Sequence, residues 1–339
     1  MQPTLRPKLA LLDAAPTPLQ YLANLSQETF REIYIKRDDL TPLGGGGNKL
    51  RKLEYLMYDA LQHGSTTIIT VGGIQTNHGR LTAAVAAKYG LKCIIVCVDS
   101  YDGELSGNLL LDSLFGARVV VKEDDGRDKD TQLSETVTKL IDQEVAKGEQ
   151  VYFIPMGGSD VTGLLGYYDC AAELDAQAKA KHLDKATVYV TVGSMGTYLG
   201  LYCGLKAIES KLKLVGIAIM PIDTTRLHQY FMEAKETYGF AFDDSDMHIE
   251  TGYIRDGYNL PDRHVRDAIR IMASHEGILL DPCYTGKMFA GVLDMIHEKK
   301  IKLGSPIILM HTGGMPGLYG NSHFKEFSKE MQHHIEIIK

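Results

Sequence analysis

The sequence predicts an α/β protein made of two open, twisted, mostly parallel sheets flanked by helices. Three observations carry this. Short apolar runs alternate with longer helical patterns from about residue 50 to 315, and such alternation gives parallel strands covered on both faces. At 339 residues the chain exceeds what one core usually fills, so two units are expected. Finally, the strand-like runs end in glycine-rich or polar turns, where open α/β sheets collect ligands.

The elements follow in order. TPLGGGGNKLRKLEYL (41–56) leads into a helix, with Leu50, Leu53, Met57, Ala60 and Leu61 at helical spacing and Asn48 as the expected N-cap. Strands are predicted at Thr66–Val71, Cys93–Val98, Arg118–Val121, Val151–Pro155, Thr187–Val192, Leu214–Met220 and Pro306–His311. Helices are predicted near 79–89, 107–115, 131–147, 160–180, 196–209, 223–236, 262–275 and 286–299. Gly90 and Gly116 fall where a helix end favours a left-handed residue. The glycine-rich MGGSDVTGLLGYYD (156–169) reads as a hinge. One unit is therefore expected over 51–160 and a second from 161 onward.

Composition narrows the function. A net charge of −7 argues against a nucleic-acid surface. The N-terminus lacks the apolar run of a signal peptide or membrane span. Five cysteines without CxxC spacing read as reduced thiols of a cytoplasmic protein; Cys93 and Cys97 share one strand, too far apart for a disulfide. The histidines show no metal-ligand spacing, so no metal site is expected.

Lys49, Arg51 and Lys52 crowd a first helical turn, where cations oppose the helix dipole. That placement needs an anion to explain it, although Arg51 by itself reads as a solvated surface charge. The run Gly193-Ser194-Met195-Gly196-Thr197 joins a strand to a helix, and its free N–H groups suit a phosphate. It is neither GxGxxG with a downstream acid nor GxxxxGK[ST], so the dinucleotide and triphosphate readings lack their second element. Gln75-Thr76-Asn77-His78 places four polar side chains directly after a strand; one of them, Thr76 or Asn77, would suffice to cap the next helix. A lysine, a phosphate cup and a polar strand-end loop together fit pyridoxal 5′-phosphate.

The chain resembles the fold-type II pyridoxal phosphate enzymes that include D-cysteine desulfhydrase and 1-aminocyclopropane-1-carboxylate (ACC) deaminase. The resemblance is carried by IKRDDLTPLGGGGNKLRKLEYL (35–56), GGIQTNHGRLTAAVAAKYGL (72–91), GNLLLDSLFGA (107–117), TVGSMGTYLGL (191–201), LDPCYTGKMFAGV (280–292) and HTGGMPGLYG (311–320). It implies that Lys49 carries the cofactor and moves the α-proton, and that Lys52 reaches the phosphate. Asn77 would bond the phenolic oxygen, while Gly193, Ser194, Met195, Gly196 and Thr197 form the phosphate cup. Thr76, Asn77, His78 and Tyr284 would meet the substrate. Thr76 replaces a serine, with a methyl that narrows the pocket, and Met195 replaces a glycine. The resemblance also implies a homodimer, with residues 1–50 joining 161–339 in the large domain.

Two positions separate members of the family. ACC deaminases carry glutamate where this chain has Thr285, facing the pyridine ring; a neutral residue there suits β-elimination from a substrate with an α-proton. The second position departs from the desulfhydrases: Met315 stands where they have a threonine able to face the pyridine nitrogen. Either Thr285 or water takes that place or the substrate differs from cysteine, and the activity rests on Thr285. The expected activity is therefore D-cysteine to pyruvate, hydrogen sulfide and ammonia. The alternatives are cysteate sulfo-lyase, with Arg80, Arg255 or Lys287 as the extra cation, ACC deaminase, and a non-catalytic amino-acid binding module.

Overall fold

Alternating residues of single strands feed opposite cores, which fixes two layered sheets. The computed structural model describes residues 6–12, 16–260 and 262–338. In chain order the elements are β1 (Leu19–Tyr21), α1 (Ala23–Thr29), β2 (Ile33–Arg37), α2 (Lys49–Gln62), β3 (Thr67–Val71), α3 (Asn77–Lys88), β4 (Lys92–Val98), α4 (Gly107–Leu114) and β5 (Arg118–Lys122). They continue with α5 (Lys129–Val145), β6 (Val151–Ile154), α6 (Val161–Ala180), β7 (Thr187–Val192), α7 (Gly196–Ala207), β8 (Lys213–Ala218) and α8 (Thr224–Tyr238). The last are β9 (Ile249–Glu250), α9 (Arg263–Glu276), α10 (Thr285–His297), β10 (Ile307–His311) and α11 (Asn321–Met331).

One sheet has the order β5-β4-β3-β6 and is wholly parallel. The other has the order β1-β2-β10-β7-β8-β9, and only β1 runs antiparallel. In β10, Ile307 and Leu309 enter the core shared with α9 and α10, while Ile308 and Met310 enter the one shared with α6 and α7. In the smaller sheet, Ile68 and Ile95 pack towards α2 and α3, and Ile69 and Val96 towards α5. This period of two is the direct signature of strands covered on both faces.

Every strand named from the sequence is present within two residues at each end. Three strands, β1, β2 and β9, and two helices, α1 and α11, add to the expectation. β1 and β9 are too short to show a pattern. β2 (IYIKR) carries a charge at a central position: Lys36 is fully buried and bonds Glu173, Gln177 and the Thr17 carbonyl.

Two expectations for the first helix are corrected. Asn48 has helical dihedrals (φ −54°, ψ −25°) and makes no cap hydrogen bond; its amide donates instead to Thr197 Oγ1 at 2.9 Å. Arg51 is not a solvated surface charge. It is 4% exposed, and it grips Asp38 through Nε and Nη2, both at 2.9 Å. It also bonds Glu173 on α6. Tyr167 donates to the same Asp38 carboxylate. This buried network fastens the start of α2 to β2 and α6.

Candidate active site

The carboxyl ends of β2, β3, β6, β7 and β10 deliver five loops to one cleft. Gly44–Gly47 all have positive φ. A β-carbon at Gly46 would lie 2.0 Å from the Asp39 carbonyl oxygen, so that turn admits only glycine. Arg80, fully buried on α3, donates to the Gly44 and Gly46 carbonyls and holds the loop that leads into Lys49.

Lys49 is half-buried at the first turn of α2 and Lys52 is fully buried one turn on. Lys52 Nζ donates to the Gly157 carbonyl at 3.0 Å and to Ser159 Oγ at 3.1 Å. Ser159 donates in turn to Ser194 Oγ at 2.8 Å. A β-carbon on Gly157 would stand 2.2 Å from Ser194 Oγ and 3.5 Å from Lys49 Nζ; one on Gly196 would stand 2.6 Å from both Lys52 Nζ and Ser159 Oγ. The glycines thus open a chamber that any side chain would fill. Desolvation of its amine lowers Lys49 to about 8. Desolvation, then the charge of Lys49, lowers Lys52 well below the usual lysine range.

Among the described residues neither amine has a carboxylate salt-bridge partner, and Asp160 opposes the shift at Lys52 only through its field. Two cations, three hydroxyls (Ser159, Ser194, Thr197) and the N-terminus of α7 converge there. That donor set fits a phosphate ester, and Lys49 would be the amine to meet an aldehyde on it.

Met195 begins α7 with φ +64°, a left-handed conformation that costs a non-glycine residue about 1 kcal/mol. Its side chain packs against two core clusters. Thr197, buried, accepts from Asn48 and keeps its own proton available.

Across the cleft, Thr76 caps α3 by accepting from Gly79 N at 3.2 Å. Its methyl fills the space beside Gly72 and Gly79, where a β-carbon on Gly79 would come within 2.4 Å of it. The added methyl is therefore taken up in packing against α3. Asn77 is half-buried, its Oδ1 accepting from Asn108 Nδ2 at 3.0 Å. His78 is buried; its Nε2 lies 2.9 Å from Thr70 Oγ1, whose own proton goes to the Ile154 carbonyl. Nε2 is therefore the donor, and Nδ1 remains a bare acceptor beside Gly158. Burial, then Lys49 and Lys52, keeps this imidazole neutral.

Tyr284 precedes α10, and its ring flanks Gly193, whose β-carbon would lie 3.5 Å away. Its hydroxyl sits 2.6 Å from that of Tyr258. Thr285 is fully buried and donates to Asp281 Oδ1 at 2.7 Å while accepting from Asp281 N at 2.9 Å. The Asp281 carboxylate also accepts from the backbone of Cys283, Tyr284 and Thr285. Met315 is 39% exposed beyond the left-handed pair Gly313 and Gly314.

Sequence reasoning missed Ser159, Asp281 and Tyr258. The strand-end run GGSD held the signal for Ser159. Tyr258 lies in an irregular segment that Lys287 holds through the Ile254 and Gly257 carbonyls, and nothing local marks it.

Two such sheets around a lysine, a glycine-lined chamber of amines and hydroxyls and a strand-end asparagine are the frame of a cofactor-dependent enzyme. A family model described as pyridoxal-phosphate dependent enzyme matches residues 10–313, and the chain belongs to that family. It is 40% identical over 320 residues to D-cysteine desulfhydrase of Salmonella choleraesuis, covering 92% of this chain and 95% of that protein. It is 41% identical over 321 residues to D-cysteine desulfhydrase of Yersinia enterocolitica, with the same coverage. A solved structure described as an ACC deaminase homologue superposes with a TM-score of 0.87 at 35% identity over 97% of each chain.

Proposed function

We propose that this enzyme is a carbon–sulfur lyase that converts D-cysteine and water to pyruvate, hydrogen sulfide and ammonia. The observation that carries this reading is Thr285: fully buried, it spends its hydroxyl on Asp281, donating to Oδ1 and accepting from N. A neutral residue thus stands where the resemblance places the glutamate of ACC deaminases. Ring opening of a substrate without an α-proton calls for a stronger electron sink than that. The similarity to two D-cysteine desulfhydrases supports the same choice.

Bound pyridoxal phosphate supplies the electron sink for the pair left at the substrate's α-carbon. Lys49 holds the cofactor through its amine and then serves as the base at the α-carbon; an amine at about 8 is partly neutral near physiological pH. Lys52, Ser194, Thr197 and the backbone of Gly193, Met195 and Gly196 hold the phosphate. Asn77 would bond the ring oxygen, Thr76 and His78 would orient the substrate with it, and Tyr284, its hydroxyl held against that of Tyr258, would meet the substrate. A cysteate reading finds no support in the cations it needs. Arg80 is bound to Gly44, Gly46 and Asn108, Arg255 to Asp294, and Lys287 to backbone carbonyls.

The same reading carries two domains, 51–160 and 1–50 with 161–339, and a cytoplasmic homodimer acting on a small amino acid. Among the described residues no helix is long and apolar enough to cross a membrane. Purified enzyme supplied with D-cysteine, L-cysteine, cysteate and ACC tests the proposal. Sulfide and pyruvate from D-cysteine are expected, and product from ACC alone would overturn it.

A further inference from the structure

The amide of Asn77 can present either end to the cleft, and residues behind it decide which. Arg80 can only donate. Its Nε donates to Asn108 Oδ1 at 2.8 Å, and its other nitrogens are occupied by the Gly44 and Gly46 carbonyls. Asn108, 0% exposed, must therefore turn its oxygen to Arg80 and its amide nitrogen the other way. There Nδ2 donates to the Gln75 carbonyl at 2.8 Å and to Asn77 Oδ1 at 3.0 Å. A backbone carbonyl only accepts, so both ends of Asn108 agree on its orientation. The Asn108 backbone N–H also donates to Gln75 Oε1 at 2.8 Å, and Gln75 Nε2 donates to the Ser106 carbonyl. The side chain is fixed in place as well as in direction.

With its oxygen turned to Asn108, Asn77 presents Nδ2 on its other side. That nitrogen lies on the side of Gly314, 3.0 Å from where a β-carbon there would stand. We propose that Arg80 and Asn108 are positioning residues. Together they form a one-way relay that makes Asn77 present a donor, never an acceptor, to the ring oxygen of bound pyridoxal phosphate. The inference rests on the role given to Asn77 above. An amide turned the other way would set oxygen against an electron-rich oxygen. The same guanidinium holds the loop before Lys49, so one buried cation aligns the covalent anchor and the hydrogen-bond donor.

The test is a double-mutant cycle on Asn77→Ala and Asn108→Ala. It reads the dissociation constant for pyridoxal phosphate and the pH midpoint of the bound cofactor's visible band. Asn108→Ala alone is expected to weaken binding about ten-fold and to move the midpoint. In the Asn77→Ala background, removing Asn108 is expected to change the dissociation constant less than about two-fold and to leave the midpoint in place. A full Asn108 effect in that background, or none in the parent, would overturn the relay while leaving the Asn77 reading intact. No change from Asn77→Ala alone would overturn both. If Asn108→Ala does not fold, Asn108→Asp replaces it; the new carboxylate still accepts from Arg80 but cannot donate to Asn77, and the same losses are expected.

Discussion

The amines of Lys49 and Lys52 face each other one turn apart on α2, and the charge of the first lowers the proton affinity of the second. Placing two cations at a helix start is unfavourable unless an anion joins them. A bound phosphate would supply that charge, so the mutual repulsion of the two amines would favour binding it.

Capture of pyridoxal phosphate by the apoenzyme needs an unprotonated amine at Lys49. The rate of capture should rise with pH around a midpoint near 8, not near the 10.5 of an ordinary lysine. Stopped-flow absorbance at several pH values measures it. Borohydride reduction followed by peptide mapping should mark Lys49, and Lys49→Ala should lower turnover by roughly 10³-fold or more. An unmodified Lys49 would refute the assignment.

Arg51→Met would leave the Asp38 carboxylate buried without its counter-ion. A loss of about 3–5 kcal/mol in urea unfolding of the holoenzyme is expected. The acid side gives a second readout. Burial favours the protonated Asp38, but Arg51 outweighs it and holds the carboxyl at about 2. A folded value below the unfolded one gives stability that is complete above about pH 4 and lost as pH falls through 2. The variant should therefore begin acid unfolding at a higher pH than the parent.

At Met195 the backbone and the side chain pull in opposite directions. Met195→Gly relieves a left-handed backbone but gives up packing, whereas Met195→Ala gives up packing and keeps the strain. The alanine variant should be less stable than the glycine variant by about 1 kcal/mol, although it buries more carbon. Thermal unfolding of both proteins decides this.

Gly79→Ala would drive a methyl into Thr76 Cγ2. It should destabilise the protein by about 1–3 kcal/mol and raise the substrate KM by displacing Thr76. Thr76→Ser removes the opposing methyl, so the same glycine change should be milder in that background. Equal effects in both backgrounds would show that the collision is relieved elsewhere.

Much of this was legible locally. The apolar runs of β3, β4, β7 and β10, and the glycines that follow them, named the fold, because strands covered on both faces are apolar throughout. Gly193–Thr197 and Gln75–His78 stood out for the same reason: free N–H groups and polar side chains after a buried strand need partners. Arg51 read wrongly because its counter-ions, Asp38 and Glu173, come from other elements. Asn108 and Asp281 sit inside runs that carry the resemblance, yet their partners, like that of Tyr258, were not marked in the sequence.

The sequence by itself determined the strand–helix order and the glycine loop that leads into Lys49, since each depends on neighbours within a few residues. Only the tertiary structure decided which charges are buried in pairs, which amide end faces the cleft, and which hydroxyl proton is already held. Those outcomes depend on partners tens or hundreds of residues away, brought within hydrogen-bond distance by the packing of two sheets.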